Sequence, residues 1–242
     1  MIETAVEGPV PRYELLAWRE QYGVIAGITG RGDPGNPFDL GLGGTSPAGE
    51  VLDRWGALRR AVPGCRGIVV SRQVHGTRIL WHDTAGGLVI HEGSDGHATE
   101  SPGLLLAVTA ADCVPVYLVD PIRRAIALLH AGWRGTADGI LAKGVAELVQ
   151  RGSFVGNLLV HCGVGICGSC YEVGSEVFAG CGLPAPTGGR GGLDLRSVLA
   201  DQARGQGVER VSTSQFCSKH DRGFFSHRGG SAGRMVGYLG LI

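Results

Sequence analysis

The chain has no surplus of charge: 22 lysines and arginines face 22 aspartates and glutamates, so the formal net charge at pH 7 is zero. It shows no basic stripe and no block of like charge. It therefore offers no electrostatic footprint for nucleic acid or an anionic membrane, and neither is expected as a partner. Long hydrophobic runs are also missing. The longest apolar stretches, such as residues 103–111, fall well short of the roughly 20 residues needed to span a bilayer. No basic stretch followed by an apolar segment opens the sequence, so no secretory leader is expected and the cytoplasm is the expected location. Aromatics are scarce at 6%, and methionine occurs only as Met1 and Met235. The seven cysteines form an odd count, which argues against the disulfide framework of a small secreted protein.

Glycine is abundant instead, with 43 residues in 242 against a usual share of about 7%. The glycines follow no collagen-like or linker-like period. Many come just after apolar runs, where tight turns and close backbone approach require them. The length suits one catalytic domain over residues 13–242, preceded by a polar tail at 1–12 that holds two prolines. Strands are expected over residues 23–29, 67–74, 78–81, 88–90, 104–108, 114–119, 125–129, 158–161 and 208–212, and from Arg234 onward. Ser46-Pro47 starts a helix carrying Val51, Leu52, Trp55 and Leu58, and Pro63-Gly64 ends it. Residues 135–149 read as a second helix, with Ile140, Leu141, Val145, Leu148 and Val149 on one side. Asp194 caps a third, bearing Leu195, Val198 and Leu199. Strands outnumber helices and several are continuously apolar, which predicts sheets covered on both faces in an α/β or α+β domain.

Three polar residues stand at the ends of these apolar runs: His75, Cys113 and His130. Side chains at strand ends are how a sheet presents chemistry to a crevice. Two imidazoles and one thiolate suit zinc, and three protein ligands leave a fourth position for water or substrate, the catalytic pattern. Spacing alone does not join the three. The same residues also allow a metal-free reading, in which Cys113 is a nucleophile, His130 or His75 its base and Asp112 the orienting acid. Cys162, Cys167 and Cys170 have the spacing C-x4-C-x2-C of an iron–sulfur run, to which Cys181 or Cys217 could add a fourth ligand. The plainer reading, a glycine-rich loop with small buried thiols, is preferred.

Several segments carry a resemblance. SRQVHGTRI (71–79), LLLAVTAADCVPVYLVDP (104–121), IALLHAGWRGTADGIL (126–141), GVGICGSCYEVG (163–174) and FFSHRGGSAGRM (224–235) together resemble the YfiH or laccase-domain family. The upstream ITGRG (28–32) and PFDLGLG (37–43) resemble that family's N-terminal signature. The resemblance implies a layered α/β sandwich of mixed β-sheets flanked by helices. It implies zinc held by His75, Cys113 and His130. It also implies purine nucleoside chemistry: phosphorolysis of adenosine, inosine, guanosine and methylthioadenosine, and deamination of adenosine. An older label for the family is polyphenol oxidase, a multicopper laccase. The residues here oppose it, because eight histidines form no His-x-His pair and no methionine lies near the three ligands to complete a type 1 copper site. A third activity proposed for the family is hydrolytic editing of a peptidoglycan precursor by the same residues. This chain departs from the family pattern at two places. It reads Gly163-Val164-Gly165 where Gly-Pro is usual, and Ser226-His227-Arg228-Gly229-Gly230 where Ser-Tyr-Arg-Arg-Asp is usual.

Phosphorolysis needs cations for phosphate, and the candidates are Arg31, Arg72, Arg134, Arg228 and Arg234, each in or beside a glycine-rich segment. Deamination needs a proton shuttle, for which Asp112 is the nearest candidate and a role as turn residue or support for a ligand the alternative. Trp133 is a candidate to stack on a purine.

Overall fold

In the computed structural model, which describes residues 3–44 and 46–242, fifteen strands and six α-helices alternate along the chain. In order they are β1 (Thr4–Val6), β2 (Arg12–Glu14), α1 (Leu16–Tyr22), β3 (Val24–Thr29), α2 (Ala48–Ala61), β4 (Gly67–Arg72), β5 (Ile79–His82), β6 (Gly87–Glu92), β7 (Gly96–Thr99), β8 (Leu104–Ala110), β9 (Val114–Asp120), β10 (Ala125–Ala131), α3 (Trp133–Ala137), α4 (Ile140–Gln150), β11 (Leu159–Cys162), β12 (Glu172–Gly174), α5 (Ser175–Gly180), β13 (Arg190–Gly192), α6 (Leu195–Gly205), β14 (Arg210–Thr213) and β15 (Met235–Leu241).

Two mixed sheets dominate. One runs β1-β2-β3-β15-β8-β4-β6 and the other β14-β11-β9-β10-β7-β5, while β12 and β13 form a small ribbon. Strand β8 pairs antiparallel with β15 and parallel with β4, and β9 pairs antiparallel with both β10 and β11. The expected mixed-sheet α/β sandwich is what forms.

The continuous apolar runs follow from burial on both faces. In β8, Leu104, Leu106 and Val108 point between the sheets, where they meet Tyr117, Val119, Ile126 and Leu128. The alternate residues Leu105 and Ala107 point outward onto Val51, Trp55 and Leu58 of α2. Strands β9 and β10 do the same on the other side: Val116, Leu118, Ala127 and Leu129 pack against Ile140, Leu141 and Leu148 of α4 and Leu195 and Leu199 of α6. The result is four layers, helix, sheet, sheet, helix, with period-2 alternation filling both sides of each central strand.

Three local expectations change. Residues 135–149 do not form one helix: Gly139, at φ 77°, breaks the stretch into α3 and α4, a left-handed turn that glycine makes at little cost. Residues 3–12 of the expected 1–12 tail are not free, and residues 1 and 2 lie outside the described residues. Strand β1 pairs with β2, and β2 adds to the edge of β3. Glu3 is buried with its carboxylate 3.0 Å from His161 Nε2 in β11. The segment looks polar because its strands lie at a sheet edge and because its one buried acid has a partner elsewhere. Strand β7 also escapes sequence reading, since Gly96-His97-Ala98-Thr99 lacks both an apolar run and clean alternation, yet all four residues are buried. No helix among the described residues is long and apolar enough to cross a membrane.

Candidate active site

Three chain segments deliver the site. Strand β4 ends at Arg72, and the loop beyond it carries His75. The turn between β8 and β9 carries Cys113. His130 lies in β10, one residue from its end. Their ligand atoms all come within 4.8 Å of one another, and the two imidazoles meet edge to face with centroids 4.9 Å apart. His130 is buried, Cys113 half-buried and His75 exposed. Gly132, just past β10, makes room for them. A Cβ there would stand 3.0 Å from His75 Cδ2 and 3.1 Å from Cys113 Sγ.

The loops that hold these residues are locally strained. His75 has φ 59° and Asp112, beside Cys113, has φ 91°. Left-handed backbone at such residues costs on the order of 1–3 kcal/mol and persists only where surrounding bonds impose it. The bonds are present in both cases. At His75 they come from Asp95, fully buried just before β7. Its Oδ1 accepts the His75 N–H at 2.9 Å, and its Oδ2 accepts those of Gly76 at 2.8 Å and Val74 at 3.2 Å. The same Oδ1 lies 3.0 Å from His130 Nδ1. One carboxylate thus shapes the His75 loop and orients His130, leaving Nε2 of His130 to face Cys113 and His75. A carboxylate behind a histidine is the usual support for a metal-ligating imidazole, because it fixes the tautomer and raises basicity. Burial pushes the Asp95 carboxyl up, but the bonds from His130 and the backbone more than reverse this and hold it below its ordinary range.

At Asp112 the restraint runs the other way. Its Oδ1 accepts from Ser218 Oγ at 2.6 Å, and its Oδ2 accepts the Arg228 N–H at 2.6 Å. Asp112 therefore ties the Cys113 turn to two C-terminal loops, with both carboxylate oxygens engaged.

The electrostatics of the three residues are coupled. Burial opposes ionisation of Cys113, yet His130 and then His75 bring its thiol down to about 6. Burial likewise opposes the His130 cation, but Cys113 and Asp95 raise it to about 9. Two imidazoles and one thiolate converging on one point are the donor set of a divalent metal, which would displace the protons they carry, and the group could hold a metal ion. Cys162 and His227 do not join it, so three protein ligands are provided and a fourth position stays open.

His75, Cys113 and His130 open into a cavity of about 800 Å³. Arg72, Arg134, Arg228 and Arg234 line it, but Arg31 does not. Arg31 lies outside, 5.7 Å from the Phe225 ring. Arg134 sits 4.5 Å over the Trp133 ring and Arg228 5.2 Å over Tyr171. Arg234 is engaged with the carbonyls of Ala232 and Gly233, and Arg72 approaches Glu92 at 3.6 Å. Trp133 lines the cavity but also packs on the helical core, and Arg134 covers one face of its ring.

Two supporting residues escape the sequence. Nothing marks Asp95 as more than a turn aspartate. Gln73 clamps β4 to β8 by bonding both the N–H and the carbonyl of Thr109 at 2.8 Å. Neither partner is near in sequence, so no local pattern points to them.

An α/β/β/α sandwich with a two-histidine, one-cysteine centre at its strand ends defines the class of protein. The chain belongs to the family described as multi-copper polyphenol oxidoreductase laccase, whose model matches residues 32–242. It is 38% identical over 177 residues to a purine nucleoside phosphorylase of Deinococcus radiodurans, covering 70% of this chain and 68% of that one. It is 34% identical over 186 residues to adenosine deaminase RL5 of an unknown prokaryotic organism, covering 71% and 68%. Among solved structures it superposes on the hypothetical protein YfiH of Bacillus licheniformis with a TM-score of 0.86 at 27% identity, over 98% of each chain.

Proposed function

We propose that this chain is a cytoplasmic, zinc-dependent purine nucleoside phosphorylase acting on adenosine, inosine, guanosine and methylthioadenosine, and that it also deaminates adenosine, with the strands of residues 3–12 built into the same catalytic domain as residues 13–242. The observation that carries the reading is the open His75, Cys113 and His130 centre at the floor of a cavity lined by four arginines. Relatives named purine nucleoside phosphorylase and adenosine deaminase support it. One thiolate and two imidazoles fit zinc, and no methionine lines the cavity to make a copper site. Bound there, zinc would supply Lewis acidity toward an oxygen of substrate or water.

The chain's own residues do the rest. Asp95 fixes the His130 ring so that its Nε2 faces the centre. In phosphorolysis, phosphate attacks the anomeric carbon as the bond to the purine nitrogen breaks. Arg72, Arg134, Arg228 and Arg234 are the groups we assign to holding that phosphate, since guanidinium forks match its oxygens. Arg31 is left out of this assignment because it does not reach the cavity. Asp112 is assigned to positioning rather than proton transfer, because both of its oxygens are already bonded.

A second reading keeps one observation in its favour. Without metal, Cys113, His130 and Asp95 stand as thiolate, imidazolium and orienting carboxylate, which is the order of a cysteine hydrolase. Asp95 takes the orienting place, not Asp112. Metal dependence separates the two readings. Protein of known metal content is incubated with adenosine, with and without phosphate, alongside Cys113→Ala. Phosphate-dependent adenine release that is lost on chelation and restored by zinc supports the phosphorylase. Absence of turnover of any nucleoside by zinc-loaded protein overturns it.

A further inference from the structure

The cysteine-rich loop does not behave as its C-x4-C-x2-C spacing suggests. Cys162 leaves the group. It is fully buried in β11 among the helical core residues, and burial pushes its thiol up to about 12. Cys167 and Cys170 turn the other way, toward a segment far along the chain. There they meet Cys217 and His220, and the four ligand atoms all lie within 4.8 Å of one another.

The second pair repeats the spacing of the first: Cys167-x2-Cys170 faces Cys217-x2-His220. Paired short spacings of this kind are how structural zinc sites are built, each supplying two ligands from one tight turn. The four groups stand within reach of one ion. Cys170 Sγ lies 3.1 Å from His220 Nε2 and Cys167 Sγ lies 3.6 Å from His220 Nδ1. Bonds of about 2.3 Å to sulfur and 2.0 Å to nitrogen put neighbouring ligands of a tetrahedron roughly 3.5–3.8 Å apart. The backbone is shaped for it as well. The Cys167 N–H points at Cys217 Sγ at 3.3 Å, the Cys170 N–H closes its turn on the Cys167 carbonyl at 3.0 Å, and the Cys217 N–H is held by Asp221 at 2.7 Å. Gly165 and Cys217 pair as a parallel bridge. Three thiolates around a divalent ion leave one net negative charge. Arg196, ion-paired with Asp194 and bonded to the carbonyls of Ser214 and Phe216, holds the chain just before Cys217. None of the three cysteines is tied up in a disulfide.

We propose that Cys167, Cys170, Cys217 and His220 form a second, structural zinc site, separate from the His75, Cys113 and His130 centre. Four protein ligands close the coordination shell, so this ion takes no part in turnover; it is a clip. It joins the loop carrying Ile166 and Tyr171, both on the cavity wall, to the segment whose Ser218 restrains Asp112. The inference stands whatever reaction the open centre performs.

The test counts metal in protein purified without chelators. Wild type is expected to carry two zinc ions per chain, with no iron and no acid-labile sulfide. A His75→Ala, Cys113→Ala double variant is expected to keep one zinc, and addition of Cys170→Ser to that variant is expected to remove it. A wild-type measurement guards against a variant that fails to fold: iodoacetamide should leave Cys167, Cys170 and Cys217 unlabelled in peptide maps until a strong chelator is added. Cobalt reconstitution of the double variant should give the intense visible bands of a tetrahedral, thiolate-rich site. The proposal is overturned if the double variant holds no zinc and the three cysteines alkylate freely without chelator. It is also overturned by a Cys167–Cys170 disulfide in native protein, or by iron with labile sulfide.

Discussion

At the scale of single residues, the site depends on carboxylates that never touch the open coordination position. Asp95 accepts three backbone N–H groups and partners His130, so its charge serves both loop shape and imidazole basicity. Asp95→Asn is expected to weaken metal binding about 10–100-fold, read by competition with a chromophoric chelator, while the fold survives. Unchanged affinity would remove Asp95 from the site's design. Asp112 makes the opposite case. Asp112→Asn keeps an acceptor for the Arg228 N–H but loses charge, so the expected effect is a raised KM with kcat within about threefold. A collapse of kcat of the order that general acid–base groups contribute, roughly 100-fold or more, would restore Asp112 as the proton shuttle. Gly132→Ala places a methyl inside van der Waals contact with both His75 and Cys113, and should lower zinc affinity more than it lowers Tm.

At the scale of elements, α6 shows how one capping residue governs a distant loop. Asp194 accepts the Arg196 N–H at 2.9 Å and pairs with the Arg196 guanidinium at 2.7 Å. That guanidinium, buried, then holds the carbonyls of Ser214 and Phe216, just before Cys217. Asp194→Ala removes a helix cap, worth about 1 kcal/mol, and strands a buried cation, a loss that reaches about 3–5 kcal/mol when one partner of a buried pair is deleted. Urea denaturation should therefore show a loss of at least 2 kcal/mol. A loss below 1 kcal/mol would mean that Arg196 relaxes to water without disturbing the 214–216 segment. The cap itself is legible in the sequence; the arginine's second task is not, because its carbonyl partners lie beyond the helix and β14.

At the scale of the whole molecule, three histidines from separate strands gather between sheet edges: His82 in β5, His91 in β6 and His97 in β7. His97 bonds both His82 and Ser71. Burial first, and then the neighbouring imidazoles, depress His82 to about 4 and His97 to about 3, with Asp83 opposing at His82 and Asp95 at His97. In the unfolded chain both titrate near 6.5. As pH falls below that value the unfolded chain takes up protons that the folded chain refuses, so stability is complete above about pH 6.5 and declines toward pH 4. Urea midpoints at pH 7.5 and 5 should show this decline, and it should be shallower in His97→Gln. Equal slopes in the two proteins would mean that the histidines are hydrated and charge freely in the fold.

The strand runs at 104–108, 114–119 and 125–129, the Ser46-Pro47 helix start and the Asp194 cap could be read directly, because each rests on a periodicity or a capping rule acting within a dozen residues. The fold class followed from the same signals, since strands apolar on both faces need layers on both sides. His75, Cys113 and His130 were visible as polar residues at strand ends, and motif resemblance joined what spacing could not. Tertiary structure decided the rest. Only sheet order brings Asp95 behind His75 and His130, turns Asp112 into a tether, sends Arg31 away from the cavity and puts β1 and β2 on the sheet edge. It also parts Cys162 from Cys167 and Cys170 and brings Cys217 and His220 in its place. These are contacts between residues tens of positions apart. No local period encodes them, because a strand's sequence records how deeply each face is buried and not which neighbour buries it.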